Sequence, residues 1–139
     1  MAVLDAVTGR ENARWPLRER GNFPLALDRA AHRIIVVSRN PPLVIGIAAD
    51  GSISAKADTC SDSDDLFVDE KRNRLYVSCG EGFIDVFETQ PAGFRRLERI
   101  PTVSGARTSL FVPELDVLLL AVRATATEGA AIWIFKPAP

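Results

Sequence analysis

Apolar residues in this chain come in short runs, separated by clusters of Asp, Asn, Gly, Pro, Lys and Arg. The centre shows the pattern best. Leu66-Phe67-Val68, Leu75-Tyr76-Val77 and Phe83-Ile84-Asp85-Val86-Phe87 predict three short strands joined by tight connections. The same reading predicts strands over residues 2–7, 13–17, 24–28, 33–38, 43–48 and 52–57 before them, and over 94–100, 108–112, 117–122 and 130–135 after them. Residues 33–38 are β-branched through their centre, which suits a strand covered on both faces. Residues 94–100 alternate imperfectly, as an outer strand facing water does. No segment of helical length carries apolar residues at a period of 3.6.

The strands repeat in register. His32-Arg33-Ile34-Ile35-Val36-Val37 matches Asn73-Arg74-Leu75-Tyr76-Val77-Ser78 at a spacing of 41, and the latter matches Asp116-Val117-Leu118-Leu119-Leu120-Ala121 at 43. Leu25-Ala26-Leu27-Asp28 matches Leu66-Phe67-Val68-Asp69 at 41, and Ile84-Asp85-Val86-Phe87 matches Ile132-Trp133-Ile134-Phe135 at 48. A four-strand unit of this period is a propeller blade. The expected fold is therefore all-β: a partial β-propeller of four-stranded antiparallel blades, about three in number, in a single domain over residues 1–139. Residues 1–20 supply the third and outer strands of a first blade. Residues 21–61 and 62–104 are whole blades, and 105–139 form a last blade lacking its outer strand.

Closed propellers have about four to eight blades, and an open stack exposes an apolar blade face at each end. The pattern thus predicts self-association, or further blades, to close a ring. The abrupt start in a strand-like segment is what a chain beginning inside a repeat would show. The C-terminal part of a longer propeller, half of a split one, and a non-functional fragment are all expectations of this kind.

Net charge is −1, with 17 Lys and Arg against 18 Asp and Glu, so no basic excess points to nucleic acid. No run approaches the length of a membrane-inserted segment. No positive region followed by an apolar core marks an export leader.

The unit running from Asp64-Asp65-Leu66-Phe67-Val68-Asp69 through Arg72-Asn73-Arg74-Leu75-Tyr76-Val77-Ser78 to Phe87 resembles the YVTN-type, or YncE-like, bacterial β-propeller repeat. Leu75-Tyr76-Val77-Ser78 stands where that repeat carries its naming segment. Val3-Leu4-Asp5-Ala6-Val7-Thr8-Gly9 is similar to its third strand and turn, and the stretch from Gly105 to Pro113 to the start of a final blade. The resemblance implies a ring of about seven blades and a periplasmic or secreted location. It specifies fold more than activity. The family includes relatives of quinoprotein and haem-enzyme propeller domains, but no cofactor is implied here, since no ligand pattern such as Cys-x-x-Cys-His is present.

Blade topology puts the segments leading into each inner strand on one face, beside the loops after the second strands. Those segments are 21–23, 62–65 and 105–108, and they ring the channel mouth. Asn22, Asp64, Asp65 and Arg107 are the candidate ligand-binding residues, because acids beside an arginine can hold a zwitterion, a sugar or a peptide end. The same Asp and Ser residues also cap turns through their own backbone. On the binding reading, Asp65 is replaceable by Ala with little loss of fold. Asp62, Asp64 and Asp65 are weak metal candidates: calcium wants six to eight oxygens, and the spacing matches no calcium loop. Cys60 and Cys79 fall on the same face of one blade, so a disulfide and a pair of reduced thiols are both open.

His32 occupies the turn position matched by Asn73 and Asp116, which makes it a turn residue. Tyr76 and Phe87 are expected to pack between blades, and Trp15 to offer a contact surface. The functional expectation is a binding or scaffold module with an unidentified small-molecule or peptide ligand at the mouth. The alternative is a calcium-dependent, lactonase-like hydrolase, which requires acids from different blades to converge.

Overall fold

The computed structural model describes residues 1–139 as thirteen strands and no helix. A hairpin of β1 (Ala2–Leu4) and β2 (Glu11–Arg14) comes first. A four-stranded sheet follows: β3 (Arg20–Asp28), β4 (Arg33–Asn40), β5 (Pro42–Ala48) and β6 (Ile53–Asp58). The central sheet holds β7 (Ser63–Asp69), β8 (Arg74–Cys79), β9 (Phe83–Gln90) and β10 (Gly93–Pro101). A three-stranded sheet of β11 (Ser109–Val112), β12 (Val117–Val122) and β13 (Ala131–Phe135) ends the chain. Every sheet is antiparallel with its strands in chain order. The sheets form an open, partial propeller-like arrangement, as the repeat spacing predicts.

The repeat is visible in the backbone. His32, Asn73 and Asp116 sit at φ 48°, 51° and 55° in the turns between inner and second strands. Asn, Asp and His are the residues that tolerate this left-handed region best. The first two strands depart from their predicted bounds. The Asp5 carboxylate accepts bonds from the Val7 and Thr8 amides at 3.1 and 2.7 Å, which turns the chain after Leu4 and moves β2 upstream of the expected 13–17.

Burial explains why β4 and β8 read as continuous apolar runs. Alternate residues face the blade on either side, so neither face meets water. Ile35, Val37 and Val44 pack with Leu66, Leu75 and Phe87 between the first four-stranded sheet and the central one. Tyr76, Ile84 and Val86 pack with Phe111, Leu118 and Leu120 between the central sheet and the last. Each fully buried Leu, Ile or Phe is worth about 1.5–3 kcal/mol. Trp15 does not offer a contact surface. It folds inward over Gly51, where a Cβ would stand 2.4 Å from its ring, and joins Met1 and Leu17 against Val36, Ile45 and Ile47.

Candidate functional site

Three lead-in turns repeat one geometry. Gly21, Asp62 and Gly105 occupy one repeat position, all at positive φ (65°, 56° and 83°). Opposite them stand Arg39, Gly80 and Arg123, at the ends of the second strands. The turn and the strand end approach too closely for two Cβ-bearing neighbours to sit without contact. A Cβ on Gly21 would lie 3.2 Å from Arg39 Cβ, and one on Gly105 would lie 3.1 Å from Arg123 Cδ. In the central blade the glycine has changed sides, with Asp62 in the turn and Gly80 opposite.

That exchange creates a closed ring of four charges across three blades. Arg39 of the first sheet donates to Asp64 Oδ1 at 2.8 Å and to the Ser63 carbonyl at 2.9 Å, and lies 3.3 Å from Asp62 Oδ1. Arg107 of the last sheet donates to Asp62 Oδ2, and its Nε is 3.5 Å from Asp64 Oδ2. Each carboxylate is thus shared by two guanidinium groups. Arg39 also stacks on the exposed Phe23 ring, 4.0 Å from its centroid.

The candidate residues separate on this geometry. Asp62, Asp64 and Arg107 meet. Asn22 instead donates to the Glu19 carbonyl at 3.1 Å. Asp65 turns into the blade interface and accepts from the Ser109 amide at 2.6 Å. Burial raises the Asp65 pKa; the Ser109 bond opposes the rise and the neighbouring Asp64 charge adds to it. Asp65 is therefore a pin between blades, which counts against its free replacement by Ala. Of the three aspartates weighed as metal ligands, two are committed to arginines and the third to a backbone amide.

Arg39 and Arg123 escaped the sequence reading. The signal for them was the repeat spacing itself, which places both beside a lead-in glycine. Arg123 has no ion-pair partner. It lines a cleft of about 360 Å³ with Arg107, Asp64, Thr108 and Ala121.

Cys60 and Cys79 are joined by a disulfide with Cα atoms 5.9 Å apart. The bond ties the connector before β7 to the end of β8. Asp85, fully buried in β9, holds the same connector through Thr59 Oγ1 at 3.0 Å and the Cys60 amide at 2.9 Å. Arg99 closes on it through Nε and Nη2 at 2.7 and 2.8 Å. Burial works to raise the Asp85 pKa, but the Arg99 pair and these hydrogen bonds outweigh it and hold the carboxyl below its ordinary value.

The opposite face carries a second clamp. Arg72 forks onto Asp116 of the last sheet, with both contacts at 2.7 Å, and reaches Asp69 at 3.0 Å. Tyr76 donates to Asp69 at 2.8 Å. The Arg72 hydrogen bond outweighs the opposing effect of burial and, with Lys71 adding to it, lowers the Asp116 pKa to about 2. Burial, then the Asp69 bond, pushes the Tyr76 hydroxyl up.

No protein-family profile and no curated protein matches the chain. Solved structures do. A chain of the mitotic checkpoint complex is similar at TM-score 0.78 and 13% identity, over 98% of this chain and 43% of its own. Hydrazine synthase of Kuenenia stuttgartiensis is similar at 0.80 and 15%, over 96% and 38%. A candidate 6-phosphogluconolactonase of Bacteroides uniformis is similar at 0.69 and 11%, over 85% and 37%. These likenesses show a β-propeller or WD40-like fold and nothing finer. The chain spans about two fifths of the length of these structures.

Proposed function

We propose that this chain is part of a β-propeller of the YVTN, YncE-like kind, and that it acts as a binding or scaffold module through its mouth. The repeat segment around Leu75-Tyr76-Val77-Ser78 supports the family, and the disulfide supports an oxidising compartment. One observation carries the functional reading. Arg39, Asp62, Asp64 and Arg107 compensate one another in a closed ring, and Arg123 stands unpaired beside it, lining the cleft. The arrangement accepts a carboxylate at Arg123, oriented by the fixed charges alongside. Loops held on a rigid sheet are suited to such a task.

The calcium-dependent lactonase alternative needs carboxylates from several blades around one point. Both mouth carboxylates here come from the central blade, and two guanidinium groups hold each of them.

Glutarate and glutaramide, titrated at constant ionic strength into the isotopically labelled protein, test the reading. Glutarate should shift the amide signals of residues 105–108 and 121–123, glutaramide should not, and Arg123→Gln should weaken the response several-fold. Equal shifts with both compounds, or none with either, would remove the mouth as a carboxylate site.

A further inference from the structure

Arg33 and Arg74 hold the same place in successive blades, and only Arg74 has its outer donors satisfied. Arg33 opens β4 opposite Asp28, and Arg74 opens β8 opposite Asp69. Arg74 closes on the C-terminal segment. Its Nη1 donates to the Ala138 carbonyl at 2.7 Å and its Nη2 to the Pro139 oxygen at 3.0 Å, while Arg72 Nε donates to Ala138 at 2.9 Å. Arg33 uses Nε on Asp28 at 2.9 Å, and its Nη1 and Nη2 are buried without an acceptor, in a side chain only 2% exposed. The outer fork of a guanidinium is thus unused in one blade and filled by main-chain oxygens in the next.

The cause is a turn. Phe87 lies opposite Leu75 and Phe135 opposite Leu118, so Gln90 and Pro91 correspond to Ala138 and Pro139. After Phe135 the chain runs on without a turn and reaches Arg74. After Phe87 it turns back into β10, with Gly93 opposite Gln90, and brings no acceptor to Arg33. A cleft of about 380 Å³ lies there between the first and central sheets, walled in part by Arg33, Asn73, Thr89, Gln90 and Pro91. Asp28 also lines it and neutralises Arg33, and Asn73, Thr89 and Gln90 bring no charge. Neutral carbonyl oxygens therefore suit this fork better than a free anion, which would lose its hydration for no net attraction.

We propose that this cleft binds a short, extended, proline-containing peptide, whose successive main-chain carbonyls dock on Arg33 Nη1 and Nη2 as those of Ala138 and Pro139 dock on Arg74. A segment such as Pro-Ala-Pro holds the extended form without internal hydrogen bonds, so its carbonyls are free and little ordering entropy is lost on binding. The two nitrogens are covered, so the peptide displaces the Gln90 side chain, which is exposed and bonds only Glu88 of its own strand, at 2.7 Å. The site lies on the face of the His32 and Asn73 turns. It shares no residue with the Arg123 cleft or the charge ring beside it, and it stands or falls independently of the carboxylate reading.

The neutral peptide acetyl-Pro-Ala-Pro-amide, titrated into the isotopically labelled full chain, tests this. It should shift the amide signals of residues 29–33, Asn73, Thr89 and Gln90, and glutarate should leave those signals in place. Arg33→Lys keeps the charge and loses the fork, and should weaken the response several-fold. Asp28→Ser with Arg33→Met discards both charges together and should abolish it, which keeps the test open if Arg33→Lys does not fold. No shift at those residues would overturn the proposal and leave the fork to water. Equal shifts with glutarate would overturn it by showing that charge is what the cleft reads. Shifts retained in full in either variant would do the same by showing that Arg33 is not used. Shifts confined to Arg74, Lys136 and Ala138 would mean that the peptide only displaces the C-terminal segment, and would also remove the site.

Discussion

The Asp62 carboxylate lies over Gly80, and a Cβ at residue 80 would stand 2.1 Å from its Oδ2. The glycine is thus required by what lies above it, since its own φ is not in the left-handed region. Gly80→Ala must push Asp62 off the position where Arg39 and Arg107 share it, and the loss of that half-exposed ion pairing should cost about 0.5–1 kcal/mol. Adding Asp62→Gly should then cost little more, because the blades on either side already use glycine in the turn and a side chain opposite. Thermal denaturation of the two single variants and the double variant checks this. Additive losses would mean that the two positions are not coupled.

Asp65 and Asp62 sit three residues apart and should respond differently to substitution. Asp65 accepts from the Ser109 amide across the blade interface while burial disfavours its charge. Asp65→Asn keeps an acceptor and discards the buried charge, so stability at pH 7 should be unchanged or higher. Asp65→Ala leaves the amide without a partner and should cost about 1–3 kcal/mol. Urea unfolding at constant m-value separates the two outcomes. Equal losses in both variants would show that charge, and not the acceptor, is what the site uses.

Asp116 and Asp85 should contribute to the acid limb of stability, alongside the similarly lowered carboxyls of Asp5, Glu19, Asp50, Glu81 and Glu88. The first two titrate lower in the folded chain than an ordinary carboxyl, Asp116 falling from 3.8 to about 2. A depressed carboxyl contributes stability that is present above its unfolded value and lost as pH falls through the folded one. The midpoint of denaturation should therefore decline from about pH 4 toward pH 2. Asp116→Asn should flatten this decline and lower stability at pH 7. Asp65, shifted the other way, opposes the trend, so Asp65→Asn should steepen it. A wild-type limb that Asp116→Asn leaves unchanged would show that the Arg72 clamp adds nothing to folding.

The repeat was legible in the sequence because turn chemistry and apolar runs are local. Thirteen strands, the equivalence of His32, Asn73 and Asp116, and the common face of residues 62–65 and 105–108 all follow from spacing. The clamps do not, because side-chain reach decides them. Arg39 finds Asp64 at a separation of 25 residues, and Arg72 finds Asp116 at 44. Asp85 sits inside an apolar run, and its partner becomes apparent only once a bulge in β10 sets Arg99 opposite it. Asn22 and Asp65 were grouped with Arg107 by face. Face alone does not say whether a side chain turns to the channel, to its own backbone or into the neighbouring blade.

The last prediction concerns Asp28 and Arg33, a buried pair whose two members should not be equivalent. Arg33 Nε donates to Asp28 at 2.9 Å, and the guanidinium stacks on Phe94 at 4.5 Å, but Nη1 and Nη2 are buried without an acceptor. The pair therefore carries the desolvation cost of a full guanidinium and uses one donor of it. Removing Asp28 leaves that charge uncompensated and also removes the acceptor for the Ala31 amide, so Asp28→Ala should cost about 3–5 kcal/mol. Replacing both residues, Asp28→Ser with Arg33→Met, keeps a short acceptor for the Ala31 amide and an unbranched stem against Phe94 while discarding both charges. That double variant should lie within about 1 kcal/mol of the parent, or above it. Equilibrium unfolding of the single and double variants decides the matter. If the double variant is as damaged as Asp28→Ala, the ion pair itself stabilises the fold, and the two orphaned nitrogens are a tolerated cost of a favourable contact.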